Sequence, residues 1–499
     1  MWRSKKVRLE NKIKENLMNR KNFLKTSTIA TAGLLLPAAV VASGVKRKQK
    51  VIVLGAGLAG LAAAWELVQA GHEVIVIEAR NRSGGRVLTL REGFTSGLTA
   101  EAGAMSFNDN YFNLFRYIKL FNIPYESLKS PAIRSPDGNT VYHLRGKRIV
   151  PVNGKIDWPY ELKPEEREGS IPNRYIQPLL RDMHDASISN SLYEWARSID
   201  NKTLLQLVAE KGASPDAQEI IRVTTWYCDR QGRASASSNL LPVLQSFTSK
   251  DVYSFPGGVD SLSTAFAIRL GERIRYDTEV MRIKNAANSV EVIVNSDGKQ
   301  ESITGDRIVC TIPFSVLQKI DITPSFSAFK KEIINGLNYT PTTRVFLEVK
   351  KRFWESNGEN GSAMTDLPIG QVQKHPMIKT GKEGERAILE GHARGEDALQ
   401  LDRMSNDDRL KFTLEQMNKV HPNVANYYEG GISKSWQLDP YSLGAYSLFL
   451  PGQITTWLPE IMRPEGRVHF AGEHTSIYSG SMEGAVESGA RAAREINKT

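Results

Sequence analysis

Residues 51–78 constrain the fold more than any other stretch of the chain. Val51-Ile52-Val53-Leu54 is a short apolar run of the kind that fills a buried parallel strand. Gly55-Ala56-Gly57-Leu58-Ala59-Gly60 follows at once. Ala62 to Val68 then reads as a helix, and Val74-Ile75-Val76-Ile77 as a second strand that ends at Glu78. Strand, glycine turn, helix, strand and acid in that order make a complete βαβ unit for a dinucleotide. Gly55 permits the tight turn, Gly57 lets a phosphate approach the backbone, and Gly60 lets the helix pack close to the strand. A pyrophosphate then meets free N–H groups at the helix N-terminus, Leu58 and Ala59 among them. Glu78, about 20 residues on, offers a carboxylate to ribose hydroxyls. The glycine triplet alone would also fit a turn in an unrelated α/β domain; its meaning comes from the elements around it.

The next segment separates FAD from NAD. Ala79 leads into Arg80-Asn81-Arg82-Ser83-Gly84-Gly85-Arg86. Gly84 and Gly85 can bring amides close to a cofactor, and Arg86 can present a forked cation to its phosphates. Ordinary NAD domains have no need of such an extension. Glu101-Ala102-Gly103-Ala104-Met105-Ser106 follows a hairpin-like stretch and again carries a glycine for close backbone approach.

A chain of 499 residues has room for two or three domains, and 40% hydrophobic with 24% charged residues is a globular composition. The net charge of +10 suggests nucleic acid until it is located. Residues 1–50 hold 13 Lys/Arg against 2 Asp/Glu, and the remainder holds 52 against 53. A near-neutral body offers no general field for phosphate backbones. The basic segment reads as a leader over residues 1–48. Arg20-Lys21 precedes Phe23-Leu24-Lys25, an apolar run extends from about Ile29 to Ala42, and Val40-Val41-Ala42 offers a cleavage site. It resembles a twin-arginine export signal with Lys for one Arg, which implies a periplasmic or secreted protein with no stable membrane insertion after cleavage. The alternatives are a retained signal anchor and, if the leader is not functional, a cytoplasmic protein. Met18 is a second candidate start. Cys228 and Cys310 are too few for a disulfide framework or a zinc site and read as core residues. No His/Cys/Asp cluster has metal spacing.

Val51–Arg86 resembles the opening of the flavin amine oxidase family, which includes monoamine oxidases and L-amino-acid oxidases. Two blocks near the C-terminus agree: Gly466 to Ser476, containing Phe470-Ala471-Gly472-Glu473-His474, and Gly480-Ser481-Met482-Glu483-Gly484-Ala485 through Gly489. The resemblance implies an α/β fold, mixed α+β overall, in which a Rossmann-like FAD domain is interleaved with a substrate domain. Residues 49–110, 245–320 and 440–499 would form the first. Residues 111–244 and 321–439 would form the second, with a helical subdomain at about 161–244 roofing the substrate. The backbone of Val280 would meet the adenine. The last helix would aim its N-terminus at the flavin ring, where Met482 and Ala485 lie and where free amides stabilise negative charge.

The family reaction moves a hydride from an amine-bearing carbon to FAD, after which dioxygen reoxidises the flavin and gives hydrogen peroxide. Small-molecule amines or amino acids are therefore the implied partners, and a homodimer is a family habit. Trp436 and Asp439 to Tyr446 resemble the segment beside the flavin. Ala445 stands where monoamine oxidases have a flavin-linking Cys, so FAD is expected to be non-covalent. Tyr446 matches one of two substrate-flanking tyrosines, and Ser481 occupies the position of the other. Arg344 stands at the family's usual Lys, which helps oxygen react; a permanently charged Arg could bind that water, bind a substrate carboxylate, or be a structural charge at a domain seam. Ser106 replaces the Arg with which L-amino-acid oxidases clamp the substrate carboxylate. Asp229-Arg230 and Arg233 are substitute candidates, though charged loop residues are usually solvated. His474, in the glycine turn, reads as a hydrogen-bonded structural His. A dehydrogenase using another acceptor, and a flavin-binding protein without turnover, are the rival readings.

Overall fold

The computed structural model describes residues 48–95, 97–128, 140–375 and 386–499. The expected leader, with Arg20-Lys21 and its apolar run, lies outside these residues. No helix among the described residues is long and apolar enough to cross a membrane.

The βαβ unit forms as expected: β1 (Lys50–Leu54), α1 (Leu58–Gln69) and β2 (Glu73–Ile77). The helix begins four residues before the apolar periodicity became visible, because Leu58, Ala59, Gly60 and Leu61 are all buried. β1 is central in a five-stranded parallel sheet ordered Ile274–Arg275, β2, β1, Arg307–Cys310, Val468–Phe470. Alternate residues of these strands enter different cores. Val51, Val53, Val74, Val76 and Val309 pack with α1 and the C-terminal helix. Ile52, Leu54, Ile77, Ile308 and Phe470 pack against the opposite layer. Burial on both faces is why the strands read as unbroken apolar runs.

The C-terminal helix, Met482–Asn497, lies directly on α1. Gly489 makes this possible: a Cβ there would stand 2.1 Å from the Ala59 carbonyl oxygen. The two ends of the chain that carry the motifs are thus pressed together by small residues. On the other layer, Glu279–Asn285, Val290–Ser296 and Lys299–Gly305 form an antiparallel meander, extended by Asp321–Thr323. Asp297 and Gly298, both at positive φ, make its tight turn.

A seven-stranded mixed sheet holds the rest of the site, in the order Tyr428–Ser435, Thr342–Val349, Ala387–Arg394, Gln371–His375, Ala363–Thr365, Val141–Leu144, Lys147–Ile149. One face is apolar: Val345, Leu347, Leu389, Ala393 and Val372 join helix residues such as Met417 and Val420 in one cluster. The alternate positions Arg344, Gln371, Gln373, His392 and Arg394 line a cavity instead. The helices expected after residue 161 are present, from Ile171–Tyr175 to Val243–Thr248, and have their own core around Met183, Val208 and Ile221. Cys228 and Cys310 are buried free thiols, pushed up by burial to about 12, so neither is a thiolate at neutral pH.

Candidate active site

One cavity of about 730 Å³ runs from the first glycine turn to the polar face of the seven-stranded sheet. It gathers nearly every residue singled out from the sequence. Gly55, Gly57, Leu58, Ala59, Glu78, Ala79, Gly85 and Arg86 line it from the βαβ side. Gly103, Ala104, Met105, Ser106 and Val280 line it next, and Gly472, Glu473, Ser481, Met482 and Ala485 come from the C-terminal blocks. Arg344, Trp436 and Tyr446 close it.

Gly60, Arg233 and His474 are the exceptions, and Gly60 is instructive. It does not line the cavity but faces the Gly55 carbonyl oxygen, 1.9 Å from where a Cβ would sit. Its part is helix-to-turn packing alone. Gly57 is the converse, for a Cβ there would meet nothing within 4 Å. Open space above a glycine at a helix N-terminus is the cradle a phosphate needs.

Glu78 is 4% exposed and held at both oxygens: Ala56 N–H donates at 2.7 Å and Arg80 N–H at 2.9 Å. Each carboxylate oxygen keeps a lone pair for a ribose hydroxyl. Arg80 in turn donates to Asp439 Oδ1 and Ser442 Oγ, tying the cofactor loop to the segment beside Trp436. The donor set fits an FAD-sized dinucleotide, with amides for the pyrophosphate and a fixed carboxylate for the ribose.

Arg86 is braced on one edge. Its Nη1 donates to the Ala445 carbonyl oxygen and to Glu473 Oε1, and its guanidinium lies over the Tyr339 ring, so one edge braces the fold while the residue lines the cavity. Glu473 also accepts from Ser447 N–H, Ser447 Oγ and Gly480 N–H. Burial works against its charge, but Arg86 and these donors outweigh burial and hold the carboxyl below its ordinary range.

Ser481 is the N-cap of the C-terminal helix. Its Oγ accepts from Gly484 N–H at 3.0 Å and donates to the Tyr478 carbonyl at 2.6 Å. Its hydroxyl is thus engaged by the helix, while the residue lines the cavity. The cap fixes the helix end whose first amides, including that of Met482, lack intrahelical acceptors. Trp436 is 2% exposed and donates from Nε1 to the Ala102 carbonyl, with its ring edge packed on Gly103. Tyr446 packs near Gly480.

Arg344 is 2% exposed and fully engaged. Its Nε and Nη2 meet both oxygens of Glu390, its Nη1 donates to the Gly103 carbonyl, and Nη2 reaches Met105 Sδ. His375 Nε2 makes a third contact to Glu390 at 2.6 Å. The guanidinium therefore is not free to take a substrate carboxylate. It pins the Gly103–Met105 loop to the sheet. Burial opposes ionisation of Glu390, but Arg344 and His375 hold it well below the usual carboxylate range.

Two further expectations change. Asp229 and Arg230 are buried cavity residues, not a solvated face, and only Arg233 is exposed. His474 is buried against Phe314 without a protein hydrogen bond to either ring nitrogen, and burial lowers it to about 4. Sequence reasoning missed Gln371, Gln373, His392 and Arg394. The signal was present as alternation, a polar residue at every second position of two strands whose other face is apolar.

Three comparisons bear on this geometry. The family model for flavin containing amine oxidoreductases matches residues 58–497. A Bacillus subtilis (strain 168) protein, YobN, provisionally named an L-amino-acid oxidase, is 32% identical over 91% of this chain and 96% of its own. An L-amino-acid oxidase of Siganus canaliculatus is 30% identical over 90% of this chain and 85% of its own. The solved cyclohexylamine oxidase of Brevibacterium oxydans IH-35A shares the fold, with a TM-score of 0.72 at 20% identity over 91% of this chain and 99% of that one. The chain belongs to the flavin-containing amine oxidoreductase family and is a flavin-dependent enzyme.

Proposed function

We propose that this enzyme is an FAD-dependent oxidase of an amine or amino-acid-like compound. The observation that carries the reading is that one cavity joins the Gly57–Glu78 dinucleotide site to the Trp436–Tyr446 wall. When bound, FAD supplies the acceptor for a hydride from the amine-bearing carbon and a route for its electrons to dioxygen, with hydrogen peroxide as product. The substrate is left as an imine, which water hydrolyses to an aldehyde or keto compound and ammonia or an amine.

The chain's own contributions are binding, orientation and exclusion of water. Glu78 and the amides at the start of α1 would hold the ribose and pyrophosphate. The capped end of the C-terminal helix would favour negative charge on the ring. Trp436 and Tyr446 would orient the substrate on an apolar surface. His392, lowered to about 3 first by burial and then by Arg344, adds no positive charge to the cavity wall. Ala445 cannot form a thioether, so binding would be non-covalent. Anaerobic addition of amines and L-amino acids should bleach the bound flavin, and air should restore it with release of peroxide. A protein that holds flavin but is bleached by none of them would contradict the reading.

One observation favours a second reading, in which electrons pass to an acceptor other than dioxygen. Arg344 is locked to Glu390 and cannot tune its charge as a Lys would. Timing the return of colour in air separates the two, since a return over minutes supports the dehydrogenase. Export is part of the proposal, with fusion of residues 1–48 to a reporter as its test; a reporter retained in the cytoplasm would contradict it.

A further inference from the structure

The cavity wall holds one arginine without a carboxylate partner. Arg80, Arg86, Arg230, Arg344 and Arg394 all line the cavity. The first four are ion-paired, with Asp439, Glu473, Asp397 and Glu390 respectively. Arg394 is 8% exposed and has no carboxylate at ion-pair distance among the described residues; its Nη1 donates only to the Trp226 carbonyl oxygen. The nearby acid Asp229 is turned into its own loop, accepting from the N–H groups of Gln231, Arg233 and Ala234. The positive field is felt next door. Burial lowers Arg230 below its ordinary value, Asp397 opposes this, and Arg394 adds to it.

An unpaired donor stands on the same sheet face as this charge. His392 precedes Arg394 by two residues on the same strand face, and Gln371 stands opposite His392 in register. Gln371 is 4% exposed and its Nε2 has no protein hydrogen-bond partner, while His392 Nδ1 has no hydrogen bond and lies 3.7 Å from Glu390 Oε1. A buried cation without a counter-ion and a buried amide without an acceptor are both costly, and an incoming anion relieves both. The location suits a substrate. Arg394 pairs with Thr342, whose carbonyl accepts from Trp436 N–H, so the backbones of Arg394 and Trp436 are two strand spacings apart, about 10 Å. An arginine side chain and a small molecule together bridge that gap.

We propose that Arg394, flanked by Gln371 and His392, anchors a carboxylate of the substrate, in place of the clamp that Ser106 cannot form. This rests on the proposed amine oxidation. The fork fits a carboxylate at two points, and its charge repels an ammonium, which turns the amine end toward Trp436 and Tyr446. The carboxylate is either the α-carboxylate of an amino acid or one at the far end of an amine chain.

The test compares flavin-loaded wild type, Arg394→Gln and Arg394→Lys. Substrates are neutral L-amino acids, ω-amino acids and the matching amines without a carboxylate. Benzoate binding is followed by its perturbation of the flavin spectrum. Arg394→Gln should raise KM for carboxylate-bearing substrates about 30- to 100-fold with little change in kcat, leave the plain amines unaffected, and weaken benzoate to the same degree. Arg394→Lys, which keeps the charge and serves if the Gln variant folds poorly, should lose about tenfold. Selective loss with L-amino acids identifies the α-carboxylate, and selective loss with ω-amino acids the distal one. Equal losses on amines and acids, or unchanged benzoate affinity in both variants, would overturn the assignment. If no substrate bleaches the wild-type flavin, the oxidase reading fails by itself, and the benzoate titration still decides the role of Arg394.

Discussion

Arg344 and Glu390 meet edge to edge, Nε to Oε1 at 2.5 Å and Nη2 to Oε2 at 2.7 Å, on the wall of the cavity. Neither side chain is more than 2% exposed. Removing one partner strands a buried charge, so Glu390→Gln should cost about 3–5 kcal/mol. The effect should depend on pH. The folded Glu390 carboxyl lies below its ordinary value of 4.5, so its contribution is complete above that value and is lost as pH falls below it. Thermal melts should show a Tm gap between wild type and variant that is widest near neutrality and narrows below pH 4.5. A gap independent of pH would contradict the pairing.

Gly57 and Gly60 belong to the same motif but should fail differently. Gly57→Ala adds a methyl to open space, so the apoprotein should melt as wild type does while the purified protein loses its flavin. Gly60→Ala drives a methyl into the Gly55 carbonyl, so stability and yield should fall first. Melting curves with flavin content measured on each preparation check both.

Ser481→Ala should act through the helix end. Losing the cap costs about 1 kcal/mol, a shift of about 1 °C in Tm for a chain of this size. The rate of flavin reduction at saturating substrate should hardly change. A drop of about tenfold or more, which is about 1.4 kcal/mol, would return Ser481 to the reacting atoms.

Acid precipitation checks the mode of cofactor attachment. With Ala at 445, all flavin should appear in the supernatant. Flavin retained in the pellet would mean a covalent link at some other side chain.

The cofactor side of the site was legible because its residues are local and backbone-driven. Gly57, Gly60 and Glu78 follow from one βαβ unit, and each role is set by a turn or a helix start. The substrate side was not. Arg344 stayed open between a water-binding, a carboxylate-binding and a structural cation because Glu390, His375 and the Gly103 carbonyl meet it from segments far apart in sequence. Ser481 was placed at a flanking-tyrosine position; its capping bonds to Gly484 N–H and the Tyr478 carbonyl depend on the backbone geometry of the turn before the helix. Arg394 and Gln371 gave no sign singly, for their shared face emerges only when the register of two strands is known.

Anaerobic mixing tests the central claim most directly. Purified holoprotein, mixed without oxygen with L-amino acids and amines, should lose its oxidised-flavin absorbance with at least one of them. On admission of air it should regain that absorbance and release one equivalent of hydrogen peroxide per flavin in a single turnover. An oxidised-flavin spectrum unchanged by every compound, in a protein with full flavin content, would contradict it.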